Sequence, residues 1–555
     1  MKSLCWLTLQ VLASAGTMCG ADTRRDAERV VARVEHEGDS FLTITLPAFG
    51  SDFLQSLSQE RIVGSSFPGF KRQRKSALPR FLLGLLRRVF DHQGVILPNP
   101  CVQSISCVLQ ICNLHKKVLR PCTKERISSA EQKFRVVDRD CNVYNTLPYD
   151  NAARVLFRRV AGVIVSDMTK HLSDGVPKSW NPRHGPGANT NRSVANEKWT
   201  FLEWHSRFDW WFPWAEYGHG SFSEALSLLN EEAWSGIRSE TPQFLDPEDE
   251  PPVKVVFVPK TLKTPRVIAV ESQAMQFAQQ AMRHFLVDCM DRSTYTCGRI
   301  NFSDQTCNQS LATQSSKDGL RATLDLQDAS DLVSLTHAED LFASNPLLWE
   351  MVKSVRSSHA QLPSGDILPL EKFASMGSAI CFPVEALVFF VASVSARLQA
   401  ANHVPTPANV YKACSQVFVY GDDIIVPSDE APAICDTLEY QYQFRVNRRK
   451  SFWTGRYRES CGSDAFDGES VTPVYCRRDC PAGRHDVEAL VSWISMANQF
   501  YMVGHWSACM AIREHLDSIL SRPLPRVSAD SSVLGWVSIQ RWIQIHGWDA
   551  DLQRF

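Results

Sequence analysis

The pattern of apolar and polar positions changes character several times along the 555-residue chain. Val253-Lys254-Val255-Val256-Phe257-Val258 is a β-branched run that predicts a strand, and Ala322-Thr323-Leu324-Asp325-Leu326 predicts a second. Val417-Phe418-Val419 and Ile424-Ile425-Val426 flank Tyr420-Gly421-Asp422-Asp423, the signature of a hairpin closed by a short Gly-Asp turn. Between these signals Leu387, Phe390, Val391 and Val394 recur at helical spacing within residues 385–400. From about Asp486 onward the pattern is mostly helical, with Trp536, Trp542 and Trp548 read as core. At the start of the chain Leu4, Trp6, Leu7, Val11 and Leu12 imitate an export signal, but Thr8, Gln10 and Ser14 interrupt the run, which predicts an amphipathic helix instead. Strands and helices mixed in this way predict an α+β chain.

Two stretches punctuate the order. Gly185-Pro186-Gly187, in a region rich in tryptophan, predicts a turn, and residues 242–252, with Asp246, Glu248, Asp249 and Glu250 among prolines, read as an exposed linker. No segment reaches the roughly 18 uninterrupted apolar residues that a membrane span needs. Composition excludes disorder, with 44% hydrophobic and 21% charged residues. A net charge of −1 gives no global attraction for nucleic acid, so such a partner would require a local basic channel. Among the 17 cysteines, the cluster Cys101, Cys107, Cys112, Cys122 and Cys141 lacks the tight pairs of a zinc site and no histidine pair completes one, which favours reduced thiols in a cytosolic protein.

The carboxylates carry the chemistry. Adjacent aspartates repel, so a hairpin tip gains nothing structural from Asp422-Asp423, whereas a magnesium ion takes few protein oxygens and leaves positions for phosphates. Asp325, near the end of the second strand, supplies the third ligand that such a site needs; alone, it would read as a cap or a surface residue. Ser375-Met376-Gly377-Ser378 lies between the two carboxylate sites and fits either a sugar-contacting loop or an ordinary helix start. Lys260, Lys263 and Arg266 follow the first strand and can offset a triphosphate. In the cluster of Arg445, Arg448, Arg449 and Lys450, the lysine is the better proton donor to a departing pyrophosphate, because arginine does not give up a proton easily. Lys71-Arg72-Gln73-Arg74-Lys75, with Arg80, Arg87 and Arg88, fits either contacts to an RNA backbone or a solvated face.

The order of these elements resembles the motif order of viral RNA-dependent RNA polymerases. The wording is similar to the replicases of single-stranded RNA bacteriophages, the levivirus family. The similar stretches include Phe257-Val258-Pro259-Lys260, Asp304-Gln305-Thr306, Asp325-Leu326, Ala329-Ser330-Asp331, Ser375-Met376-Gly377, Tyr420-Gly421-Asp422-Asp423-Ile424-Ile425 and Arg458-Glu459-Ser460-Cys461-Gly462. Similarity is dense from about 253 to 478. The resemblance implies a right-hand polymerase with an antiparallel palm sheet flanked by helices. In this reading residues 1–250 are mainly fingers, 251–310 join fingers to palm, 311–480 are the catalytic palm and 481–555 a helical thumb.

The same resemblance implies RNA-directed RNA polymerase activity with two Mg2+ ions, for which Mn2+ can substitute, on Asp325, Asp422 and Asp423. Lys260, Lys263, Arg266, Ser330, Asp331, Ser375, Gly377 and Ser378 would contact the nucleotide, and Lys450 would join the catalytic set. Implied partners are template and nascent RNA, ribonucleoside triphosphates, and host elongation factors Tu and Ts with a small-subunit ribosomal protein, in the cytoplasm of an infected bacterium and without a membrane. Two departures stand out. Relatives often carry Asn where Ser378 stands, and the second aspartate of the Asp325 motif comes at 331 rather than 330, which leaves Ser330 and Asp331 both as candidates to read the ribose 2′-hydroxyl. The rivals are a reverse transcriptase, which would place a bulky residue near 331, and a non-catalytic RNA-binding phage protein, which would leave the carboxylate order unexplained.

Overall fold

The computed structural model describes residues 3–172, 177, 180–219, 242–521, 523–539, 550–551 and 553. The chain is α+β, and its four-stranded central sheet is antiparallel throughout, in the order Arg445–Val446, Arg321–Gln327, Asp423–Pro427, Phe418–Tyr420. Ala322, Leu324 and Leu326 alternate inward from the Arg321–Gln327 strand, and Ile424, Ile425 and Val426 pack beside them. A second four-stranded sheet places Arg266–Val270, Val253–Val258, His359–Gln361 and Ile367–Pro369 side by side. All three sequence-predicted strand signals are therefore present.

The helix Cys381–Ala400 runs through the largest core and is buried along nearly its whole length. It is long and apolar enough to cross a membrane by composition, but its side chains face protein on all sides. Near it, Asp340 is buried and accepts a two-pronged hydrogen bond from Arg154 at 2.7 and 2.9 Å, with Arg158 on the same carboxylate. That pairing offsets the cost of burying the charge and ties the helix Ala152–Thr169 to Leu335–Phe342.

A second core joins the two ends of the chain. Leu4, Leu7, Val11 and Leu12 of the helix Ser3–Cys19 pack in one cluster with Trp493, Ile512 and Leu516 from the helices Val487–Met502 and Trp506–Leu520. The first helix sits deeper than an amphipathic pattern implies. Its polar interruptions are satisfied internally: Thr8 lies 2.9 Å from His115 Nε2 and Ser14 lies 3.1 Å from His505 Nδ1.

The stretch 242–252 is not simply an exposed linker. Gln243–Leu245 pairs with Glu203–His205 as a short parallel ladder, and the Glu250 carboxylate is drawn inward by Arg207 at 2.8 Å. Gly185 and Gly187 present their carbonyls to the Lys198 ammonium at 2.7 and 2.6 Å, which holds the expected bend. Trp536 is buried as expected, whereas Trp542 and Trp548 lie outside the described residues.

Candidate active site

The hairpin tip is a two-residue loop, because Tyr420 and Asp423 are register partners. Gly421 has φ +61°, the positive value that a tight hairpin turn asks of its first loop residue. A side chain there would also meet the Phe382 ring at 2.4 Å. The turn leaves Asp422 exposed at the tip and Asp423 half-buried in the strand, directly opposite Asp325 on the neighbouring strand.

The Asp325 carboxylate accepts a hydrogen bond from Asn447 at 2.6 Å and lies 3.5 Å from the Lys450 ammonium. The segment carrying both is pinned to the same residue, since the Asn447 amide donates to the Asp325 carbonyl at 2.8 Å and the Asp325 amide donates to the Ser451 hydroxyl at 3.1 Å. Asp423 accepts from the Cys461 backbone amide at 3.0 Å. Burial raises the Asp325 pKa, with Asp422 adding to it and Lys450 opposing it. Burial, with Asp422 and Asp325 nearby, pushes Asp423 up to about 7. Burial works to lower Lys450, but Asp325, Glu459 and Asp422 outweigh it and hold the ammonium above its ordinary range.

Asp325, Asp422, Asn447 and Lys450 line a cleft of about 470 Å³ together with Lys260, Lys263 and Arg266, while Asp423 stands just off it. The basic residues sit on the turn between Val253–Val258 and Arg266–Val270, so a hairpin aims them at the carboxylates. Burial, with Arg266 and Lys450 nearby, lowers the Lys260 pKa.

Ser330 and Asp331 also line the cleft, from the short helix Ala329–Leu332. Ser330 is the more buried of the two; the Asp331 carboxylate is held at 2.9 Å by the ammonium of Lys372. Lys372 is fully buried, stands 3.8 Å from Asp138 and lies 3.6 Å from the Phe134 ring. Ser375, Gly377 and Ser378 stand just off the cleft, which their neighbour Met376 lines. The Ala269 amide donates to the Met376 carbonyl at 2.8 Å, stitching this loop to the strand that follows the basic turn. Gly377 has φ +129°, and a Cβ there would lie 2.0 Å from the Ala269 carbonyl oxygen. The hydroxyls of Ser375 and Ser378 are buried without a partner among the described residues.

Several cleft residues carry no mark in the sequence. Lys133 and Arg126 enter from the helix Lys124–Asn145, and Lys133 pairs with Asp328. Glu385 lines the cleft from Cys381–Ala400, and burial, with Asp422 and Asp331 nearby, raises its pKa well above the ordinary carboxylate value. Asn447 and Lys372 depend on tertiary contacts that no local spacing reveals.

As they stand, no three His, Cys, Asp or Glu side chains among the described residues converge on one metal position. The donor chemistry suits a hard divalent cation nonetheless: three carboxylates stand at one end of the sheet, burial raises the pKa of two of them, and Lys450 lies 3.5 Å from Asp325.

Residues 248–510 match the RNA replicase, beta-chain, family. This part of the chain is similar to that family. Among relatives, the RNA-directed RNA polymerase subunit beta of Escherichia virus Qbeta is 33% identical over 60% of this chain and 55% of its own length. That of Enterobacteria phage SP is 35% identical over 45% of this chain and 39% of its own. The beta chain of Escherichia phage MS2 is 32% identical over 40% and 37%. The match thus spans about half or less of each relative. The RNA-dependent RNA polymerase of a human picorbirnavirus aligns with 48% of this chain and 55% of its own at 12% identity and a TM-score of 0.34. The matched segment contains the whole carboxylate sheet, the basic turn and the serine loop.

Proposed function

We propose that this chain is the polymerising subunit of an RNA-phage replicase, making RNA on an RNA template from ribonucleoside triphosphates by two-metal nucleotidyl transfer. The observation that carries the reading is the placement of Asp325 opposite Asp423, with Asp422 at the tip, at a cleft that Asp325 and Asp422 line together with Lys260, Lys263 and Arg266. The central sheet acts as the palm, with fingers before it and a helical thumb after it.

Asp325, Asp422 and Asp423 would hold the two Mg2+ ions, or Mn2+ in their place. Bound there, the ions supply acidification of the ribose 3′-hydroxyl and neutralisation of charge on the phosphates. Lys260, Lys263 and Arg266 bind the triphosphate and set its approach to the sheet end. Lys450, held by Asp325, hands a proton to the departing pyrophosphate. Asp331 offers the 2′-hydroxyl an acceptor that Lys372 holds in place, which favours it over the more buried Ser330. Ser375, Gly377 and Ser378 shape the wall beside the sugar.

The partners that follow are template and nascent RNA, with host translation factors Tu and Ts and a small-subunit ribosomal protein as accessory subunits in the infected bacterial cytoplasm. The test is incorporation of labelled nucleotides on an RNA template with magnesium. Ribonucleotide incorporation supports the reading, a preference for deoxyribonucleotides would favour a reverse transcriptase, and RNA binding without incorporation would favour a non-catalytic protein.

A further inference from the structure

Residues 61–90 contain eight lysines and arginines and no aspartate or glutamate, in a chain whose net charge is −1. The run folds into a surface turn, with an Arg72–Pro79 bridge, followed by the short helix Leu83–Leu86. Arg72 turns inward and spends its guanidinium on the carbonyls of Val63, Gly64, Ser66 and Ala77, so it organises the turn. Lys71, Arg74, Lys75, Arg80, Arg87 and Arg88 are exposed, with Arg80 and Arg88 each also donating to a backbone carbonyl, of Arg72 and Gly20. None of these six has a carboxylate within 4.0 Å among the described residues. A fold that sought only solubility would intersperse charges of both signs.

Arg74, Lys75, Arg80 and Arg87 border two adjoining depressions, of about 680 and 460 Å³, which share Gln73 and Arg87 and each of which keeps a further carboxylate, Glu28 in the first and Asp91 in the second. Arg24, Arg25 and Arg29 extend the first, where Asp22 is taken up by Arg24 and Asp26 by Arg29. Neither depression shares a lining residue with the catalytic cleft. The exposed apolar groups of segment 61–90 reduce to Val63, so the surface lacks the apolar centre on which a protein partner would anchor. Unpaired, spread cations with little apolar surface match the chemistry of a phosphate backbone.

We propose that this surface is a second RNA-binding site, which grips the phosphate backbone without reading sequence and holds template outside the catalytic cleft. It rests on the polymerase reading only for the identity of the polyanion. Bound RNA would displace counterions along the ridge that Arg87 forms between the two depressions.

The experiment is fluorescence anisotropy of a labelled single-stranded oligouridylate with the full chain, titrated over a range of salt. The variant is Arg74→Glu, Lys75→Glu and Arg87→Glu together. The control, Lys353→Glu, Lys412→Glu and Arg484→Glu, carries the same net charge change on exposed residues elsewhere. We expect the variant to bind more weakly and the magnitude of its salt slope to fall by about 2, at about 0.7 per single-strand phosphate contact, while the control keeps both within error. Equal loss in variant and control would overturn the proposal, as would an unchanged slope. An acidic polypeptide that competes as well as RNA at matched charge would also overturn it, in favour of a protein partner. Primed ribonucleotide incorporation on a short template is measured alongside: its absence in the parent chain refutes the polymerase reading and leaves the anisotropy result to decide the surface.

Discussion

Asp325 and Asp423 stand directly opposite one another on adjacent antiparallel strands. Two buried carboxylates in that register repel, and the hairpin adds Asp422 beside them. The fold offsets the arrangement with Lys450, Asn447 and the Cys461 amide, each of which favours the ionised form.

The cost of that repulsion depends on pH. Asp423 is raised to about 7 in the folded chain against an ordinary carboxylate in the unfolded one. The folded state therefore holds the extra proton between about pH 4 and 7, and stability is greatest below that window and falls as pH rises through it. Metal-free protein should have a lower urea midpoint at pH 8 than at pH 5.5. Magnesium should raise the midpoint more at pH 8, where it does not compete with the proton, and Asp423→Asn should flatten both effects. Urea titrations at the two pH values, with and without magnesium, check this.

Lys450 is tested by charge retention. Lys450→Arg keeps a cation beside Asp325 and removes an accessible proton. Single-turnover incorporation should slow by about a hundredfold, with little change in nucleotide affinity. A fully active variant would move the proton to another donor.

Asp331 and Lys372 are tested by sugar discrimination. Asp331→Asn retains the shape but weakens the acceptor, and Lys372→Met releases it. Both should lower the ratio of ribonucleotide to 2′-deoxyribonucleotide kcat/KM by at least about tenfold. General loosening of the fold would lower both rates together and leave the ratio alone, which a competition assay resolves; Asp331→Asn serves if Lys372→Met fails to fold.

Gly377 is tested by the smallest side chain. Its φ of +129° and the 2.0 Å approach to the Ala269 carbonyl leave no room for a Cβ. Gly377→Ala should destabilise the chain by about 1–3 kcal/mol and raise the nucleotide KM, since the same strand carries Arg266 into the cleft. Thermal melts and steady-state kinetics measure the two.

The hairpin, the Asp325 strand, the basic turn and the Cys381–Ala400 helix were legible in the sequence because each rests on local periodicity or on the Gly-Asp turn. What escaped rests on distance along the chain. Lys372 meets Asp331 across 41 positions of sequence, with its ammonium over the Phe134 ring, and nothing near Lys372 signals it. Residues 4–12 pack against 493–516 in one core, a union that no boundary reading from composition anticipates. The linker at 242–252 was legible in part: Asp246, Glu248 and Asp249 are exposed as its acidic content suggested, but Arg207 draws Glu250 inward. Asp328 escaped as well: it lines the cleft and pairs with Lys133 and Arg445, contacts far from it along the chain.

The central claim is that the Gly421 turn presents a catalytic carboxylate, and the most direct measurement is ribonucleotide incorporation by Asp422→Asn. Asp429→Asn, at an exposed position beyond the far end of the Asp423–Pro427 strand, is the control. Asp422 is exposed at the tip and contributes little packing, so the variant should melt with the parent chain and retain RNA binding. Incorporation should nevertheless fall by at least about a hundredfold, because the lost charge acts on the transition state, while the control stays near parent activity. An Asp422→Asn chain that still incorporates ribonucleotides at the parent rate would contradict the account.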